Sequence, residues 1–121
     1  MDFVLRTERN FVIDRGLMII TTIKIHGRPE KRREILLTLN GLTKQMIRDG
    51  NCVRTDLYQD LTNRDIFYFT RECRTKIDLE KYMTSKSLAV LLGLETLLEE
   101  SLETKHAVRM SSCSDSGRDG E

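Results

Sequence analysis

The spacing of apolar side chains divides the chain into predicted strands and helices. Residues 17–25 are rich in β-branched side chains on both faces, which predicts a central strand covered on both sides. Apolar residues recur at intervals of three and four over 30–48, which predicts a helix. Similar patterns predict strands at 52–60, 65–74 and 104–110 and helices at 77–83 and 86–101. The order β-α-β-β-α-β predicts an α+β domain of the ferredoxin-like type.

The predicted hairpin of the second and third strands decides which of their side chains share a face. A turn centred on residues 62–63 predicts that Arg54 lies opposite Arg71. Like charges side by side are unfavourable, so this pair needs a neighbouring carboxylate or a bound anion. The same register places three aromatic side chains on one face, where they form core, a dimer interface or a surface that stacks on a ligand: Tyr58, Phe67 and Phe69.

The sheet has a second face that two helices cannot cover. Because that face is also partly apolar, we expect it to pack against another copy of the chain. The prediction is a homodimer with its sheets face to face. We expect an N-terminal extension over 1–16, the folded domain over 17–110 and a polar C-terminal tail over 111–121.

Composition narrows the function classes. The chain has 121 residues, of which 39% are hydrophobic and 32% charged, and this balance is typical of a globular domain. The net charge of +1 argues against a nucleic-acid binder. The apolar runs are too short for a membrane span, and the first residues do not resemble a secretory signal. We therefore expect a cytoplasmic protein with neither nucleic acid nor membrane as a partner.

The cysteines and histidines do not form a metal-binding pattern. Cys52, Cys73 and Cys113 show no CxxC spacing, and His26 and His106 lie far apart. We therefore expect no metal and no cofactor. A disulfide framework is not expected in a chain without an export signal, although the predicted hairpin brings Cys52 opposite Cys73.

Several segments, in order, resemble the antibiotic-biosynthesis-monooxygenase (ABM) domain family. The resemblance runs from Met18 to about Leu98, and its clearest segments are DLYQD at 56–60, FYFTREC at 67–73 and DLEKYMTS at 78–85. It implies a dimeric α/β barrel built from ferredoxin-like subunits. It also implies a cofactor-independent monooxygenase that acts on a small apolar or aromatic, quinol-type ligand.

Three positions depart from the pattern of that family. Cys73 stands where the family usually has tryptophan, and Tyr82 stands where it usually has histidine. Thr21 stands where the haem-degrading branch has asparagine. Haem degradation is therefore disfavoured. The resemblance makes Tyr82 the candidate catalytic residue, which orients the oxygen of the substrate. The candidate residues that line the substrate pocket are Thr21, Tyr58, Phe67, Phe69 and Cys73.

The sequence fits both an enzyme and a non-catalytic domain. The missing tryptophan and histidine fit a non-catalytic module of the same fold, which binds a small molecule or regulates a partner. Tyrosine is a poor base because its pKa is ordinarily about 10. No other base stands at the positions that the resemblance points to.

Overall fold

The computed structural model describes residues 18–49 and 53–110. Four strands form one antiparallel sheet in the order β2-β3-β1-β4, with the helices packed on one face. The strands are β1 (Ile19–His26), β2 (Arg54–Gln59), β3 (Ile66–Cys73) and β4 (Glu103–Val108). The helices are α1 (Arg32–Asp49), α2 (Lys76–Met83) and α3 (Lys86–Leu92), with 3₁₀ turns at Pro29–Lys31 and Gly93–Leu97.

The predicted ferredoxin-like order is confirmed. Hydroxyl side chains begin the two short helices: Thr75 Oγ1 accepts the N–H of Asp78 at 3.0 Å, and Ser85 Oγ accepts the N–H of Leu88 at 3.1 Å. The predicted extension over 1–16, the pairing of Cys52 and the tail over 111–121 lie outside the described residues.

The helix predicted over 86–101 is shorter than expected. It ends as an α-helix at Leu92, continues as a 3₁₀ turn to Leu97 and then becomes extended. The reason is that Leu98 forms a β-bridge with Gly27, and the N–H of Glu99 donates to the carbonyl of His26 at 2.7 Å. Pairing with the end of β1 therefore replaces the last helical turn.

The predicted register of the hairpin is wrong by one residue. Arg54 lies opposite Glu72 rather than Arg71, and Tyr58 lies opposite Tyr68. The cause is the Asp60 side chain, which accepts the backbone N–H groups of Thr62 at 3.1 Å and Asn63 at 3.0 Å. These bonds fix a longer turn over residues 61–65, and the shift moves every β2 side chain to the other face.

The core lies between the sheet and the helices. Alternate residues of β1 and β3 are buried there, whereas the intervening residues on the other face, the open face, are only partly buried. The buried apolar side chains of the helical layer are Ile35, Leu39, Leu42, Met46, Leu88, Leu91, Leu94 and Leu98. Within this monomer, β1 is covered on one side, not on both as its composition predicts. Among residues 18–49 and 53–110, no helix has the length and apolar content to cross a bilayer.

Candidate functional site

A row of four polar side chains crosses the sheet on its helix-facing side. Thr21 on β1 is the register partner of both His106 on β4 and Arg71 on β3, and Arg71 is in turn the partner of Thr55 on β2. Register partners share a face, so the four side chains form one line across all four strands. We call Thr21, Thr55, Arg71 and His106 the polar row.

Arg71 is the deeply buried charge of this row. Arg71 is 2% exposed, and its guanidinium carbon lies 4.8 Å from the centroid of the Tyr82 ring. Removing a charge from water costs several kcal/mol, and the face of an aromatic ring offsets part of that cost. The polar row therefore holds a positive charge directly beneath α2.

Tyr82 brings a hydroxyl group to the same place from α2. The residue is 2% exposed, and its hydroxyl oxygen, Oη, has no hydrogen-bond partner among the described residues. Burial raises the pKa of Tyr82 to about 12, while the Arg71 charge acts in the opposite direction. The phenol therefore keeps its proton at physiological pH and is available as a hydrogen-bond donor.

The row reaches solvent at β4. Thr21 Oγ1 and His106 Nδ1 lie 2.8 Å apart and share a hydrogen bond whose direction depends on the imidazole tautomer. Thr21 is buried, whereas His106 is exposed because the helices leave β4 largely uncovered. The polar row therefore runs from a solvent-exposed imidazole to a buried guanidinium.

Comparison with known proteins identifies the fold of the chain. No family model and no curated protein matches the chain. Similar solved structures include an antibiotic biosynthesis monooxygenase, with a TM-score of 0.66 and 15% identity over 78% of this chain and 98% of that one. A Nitrosomonas europaea protein, provisionally named an antibiotic biosynthesis monooxygenase, has a TM-score of 0.71 and 14% identity over 78% and 92%. A conserved protein from Methanosarcina mazei has a TM-score of 0.70 and 20% identity over 80% and 96%.

The chain has the ABM fold. The resemblance that the sequence motifs indicated is thus confirmed at the level of the fold, and identities of 14% to 20% extend it no further. The chemistry of this ABM-fold chain depends on its own residues.

The structure brings together five of the six candidate residues. Thr21, Phe67, Phe69 and Cys73 are buried on the helix-facing side of the sheet, and Tyr82 packs against that side from α2. Phe67 and Phe69 are part of the apolar core. They precede Arg71 on β3 and lie outside the polar row. Their contribution to a substrate pocket stays a prediction.

Tyr58 is the candidate that the structure separates from the others. It is 50% exposed and lies on the open face, opposite Tyr68. The prediction that Tyr58 shares a face with Phe67 and Phe69 is wrong because of the one-residue shift in register.

Cys73 differs from the predicted thiol. It is buried and disulfide-bonded, so it has no S–H to donate or to ionise. The other two cysteines of the chain lie outside the described residues. In this ABM fold Cys73 can form an apolar wall beside the polar row but cannot act as a nucleophile in the oxidised state.

Sequence analysis predicts one of the two ionisable residues of the polar row and not the other. Alternation along β3 places Arg71 on the same face as Phe67 and Phe69, and the structure has it there, without the predicted neighbour Arg54. His106 had no signal, because its contact with Thr21 joins residues 85 positions apart.

The open face has a cavity of its own. It has a volume of about 120 Å³ and is lined by Thr22, Lys24, Tyr68, Glu103 and Lys105. Its lining carries charges of both signs, from Lys24, Lys105 and Glu103. Within the described ranges, no group of three or more His, Cys, Asp or Glu side chains is placed to hold a metal ion.

Proposed function

We propose that the chain is an ABM-like, cofactor-independent monooxygenase that acts on a small aromatic or quinol-type substrate at the polar row. The observation that carries the proposal is the Tyr82 hydroxyl, buried beside Arg71 and without a partner among the described residues. A buried hydroxyl costs free energy unless it is hydrogen-bonded, so a substrate oxygen is a suitable partner. The ABM fold supports the proposal, since solved proteins of this fold carry the name of that activity.

Oxygenation without a cofactor requires an electron-rich substrate that reduces oxygen itself. In an anthrone-like phenol, a ring methylene becomes a carbonyl and the second oxygen atom leaves as water. The protein has to bind the substrate, exclude water and accept a proton. In this proposal Tyr82 donates a hydrogen bond to the substrate oxygen, while Thr21 and Cys73 form the wall of the site.

His106 supplies the base that the sequence alone does not reveal. An imidazole nitrogen that carries no proton is a proton acceptor. His106 is exposed to solvent on one side and hydrogen-bonded to the buried Thr21 on the other. It can therefore accept a proton from a substrate at the polar row and release it to water.

Oxygen uptake by the metal-stripped protein tests the proposal. A panel of hydroquinones and anthrone-like phenols is offered to the wild type, to Tyr82→Phe and to Tyr58→Phe as the matched control on the open face. We expect uptake above the uncatalysed rate, a loss of about tenfold or more in Tyr82→Phe and little change in Tyr58→Phe. Equal uptake by wild type and Tyr82→Phe would remove Tyr82 from the mechanism.

A non-catalytic module is the second candidate function. It is favoured by Cys73 and Tyr82, which replace the tryptophan and histidine of the family pattern. Such a module binds a small apolar or aromatic ligand at the same place without turning it over. Tight binding of panel members with no oxygen uptake by any variant would select this function.

The open face is the proposed homodimer interface. Its half-buried apolar side chains include Ile20 and Ile66, beside the exposed Tyr58. We expect a dimer by light scattering at micromolar concentration and a monomer for Ile20→Asp. Leu37→Asp is the control, because Leu37 is 66% exposed on α1. A wild-type monomer would contradict the proposed interface.

The proposed location is the cytoplasm. The disulfide at Cys73 opposes this location, since reducing compartments keep thiols free. Counting free thiols in protein isolated under thiol-blocking conditions tests it, and three free thiols per chain is the result that agrees with the cytoplasm.

A further inference from the structure

Two ion pairs engage the carboxylates that β2 and β3 carry on the open face. Arg54 Nε donates to Asp56 Oδ2 at 2.6 Å, and Arg109 Nη2 donates to Glu72 Oε2 at 3.2 Å. Each of these carboxylates therefore already has a cation beside it. The charges that remain on this face belong to the lysines of β1 and β4 and to one glutamate.

Lys105 is the charge that this glutamate does not balance. Lys24 on β1 has Glu103 on β4 as its register partner, and opposite charges at partner positions attract each other. Lys105 has Thr22 as its partner instead, and no described carboxylate forms a salt bridge with its ammonium group. The open face therefore carries one positive charge that lacks a counter-charge among the described residues.

This charge lines a cavity together with a free hydroxyl group. Lys105 and Thr22 both belong to the lining of the 120 Å³ cavity on the open face. Thr22 is half-buried, and its hydroxyl makes no hydrogen bond with another described residue. A carboxylate accepts hydrogen bonds from an ammonium and from a hydroxyl, and a bond between charged groups is the stronger kind.

The remaining wall of the cavity limits the size and polarity of its ligand. The Tyr68 hydroxyl donates to Asp60 Oδ1 at 2.8 Å, which holds the Tyr68 ring beside the cavity. Lys24 adds the methylene stem of its side chain. A cavity of about 150 Å³ accommodates a benzene ring, so 120 Å³ suits a chain of a few carbon atoms rather than a ring with its carboxyl group.

Charge, hydrogen bonding and size together indicate one class of ligand. We infer that the open-face cavity binds a small aliphatic monocarboxylate, with its head at Lys105 and Thr22 and its chain against the Tyr68 ring. A single negative charge matches the single unbalanced lysine, whereas a phosphate dianion would place excess negative charge beside Glu103.

This inference goes beyond the proposed function. The cavity lies on the face opposite Tyr82 and uses none of the residues assigned to the monooxygenase. The same face is the proposed homodimer interface, so the competing occupant is a carboxylate from a second copy of the chain.

Nuclear magnetic resonance titration of the full chain tests the class of ligand. Propionate is compared with propionamide, its neutral counterpart of similar shape, and with inorganic phosphate. We expect propionate to bind with a dissociation constant on the order of 1 mM, to shift amide signals of β1 and β4, and to bind about tenfold more tightly than propionamide. Equal binding of propionate and propionamide, tighter binding of phosphate, or no binding of propionate overturns the inference.

Three variants locate the bound carboxylate. Lys105→Met should weaken propionate binding by about fivefold or more, whereas Glu103→Gln should strengthen it by about twofold because it removes a repelling charge. Lys44→Met is the control, because Lys44 is exposed on α1, in the helical layer. An equal loss in Lys44→Met and Lys105→Met would show general attraction to surface charge and overturn the inference. Weaker binding in Glu103→Gln would show that the ligand also carries a positive charge, and it too would overturn the monocarboxylate.

Light scattering and oxygen uptake separate this site from the other proposals. We expect Lys105→Met to keep the oligomeric state and the oxygen uptake of the wild type while it loses propionate. Dissociation of a dimer by Lys105→Met, with no propionate binding by the wild type, would assign Lys105 to the interface and overturn the inference. Propionate binding that is retained in Tyr82→Phe, with no oxygen uptake by any variant, supports this site and removes the monooxygenase.

Discussion

The helix-facing side of the sheet contains two regions that are equally buried and chemically opposite. In the apolar region, Ile23, Ile25, Phe67 and Phe69 pack beneath α1 and α3. In the adjacent polar row, Thr21 and Arg71 are 1% and 2% exposed, so they are as fully removed from solvent as these apolar side chains. Burial by itself therefore does not distinguish core from candidate site in this fold. The chemistry of the buried atoms distinguishes them.

The apolar region and the Tyr82 hydroxyl beside the polar row contribute to stability with opposite sign. Apolar side chains gain roughly 25 cal/mol for each Å² that is removed from water. A buried hydroxyl without a partner costs about 1 to 3 kcal/mol, and a buried charge costs more. The apolar region therefore stabilises the domain, whereas the Tyr82 hydroxyl, buried without a partner among the described residues, reduces the free energy of unfolding. Sites that give up stability in this way are typical of function.

The largest expected effect comes from a substitution in the apolar region. Phe69→Ala removes a fully buried ring from the helix-facing side of β3, so we expect a loss of about 3 to 5 kcal/mol in the free energy of unfolding. Urea denaturation followed by circular dichroism measures it. Leu37→Ala, on the exposed side of α1, is the control and should change the free energy by less than about 0.5 kcal/mol. A loss of less than about 1 kcal/mol in Phe69→Ala would mean that Phe69 is not a core residue.

Features that rest on local sequence patterns could be predicted from the sequence. The helix over 30–48 was predictable because its buried side chains, among them Ile35 and Leu39, recur at the helical period. The order of elements followed from similar local patterns. Tyr82 and Thr21 came from the family resemblance, and the structure places both at the polar row.

The remaining features depend on contacts that no local pattern contains. The hairpin register is fixed by one side chain, Asp60, and a shift of a single residue exchanged the two faces of β2. The prediction for Tyr58 failed for that reason. The bond between Thr21 and His106 joins distant parts of the chain and needed the strand order before it could be seen.

A smaller change in the free energy of unfolding, of opposite sign, is expected from a substitution beside the polar row. Tyr82→Phe removes the unpartnered hydroxyl and keeps the ring over Arg71, so we expect the free energy of unfolding to stay unchanged or to rise by about 1 kcal/mol. Thr21→Val is the matched variant. It removes one side of the hydrogen bond to His106 and should lower the free energy by about 1 kcal/mol. Urea denaturation without ligand measures both. A loss of more than about 1 kcal/mol in Tyr82→Phe would show that the hydroxyl already has a partner.

The smallest expected effect concerns Asp60, whose turn keeps Thr55 in the polar row and Tyr58 out of it. The hydrogen bond from the Tyr68 hydroxyl, followed by bonds from Asn63 and Thr62, lowers the pKa of Asp60 from 3.8 to about 2. A carboxylate with a lowered pKa stabilises the folded state fully above its unfolded value, and the contribution is lost as the pH falls through the folded value. Asp60→Asn should therefore melt at a slightly lower temperature than the wild type near neutral pH, by roughly a few degrees because the site is solvated. The difference should stay constant down to about pH 4 and close between pH 4 and pH 2. Thermal unfolding across that range measures it, and a difference that persists at pH 2 would mean that the charge of Asp60 does not hold the turn that sets the register.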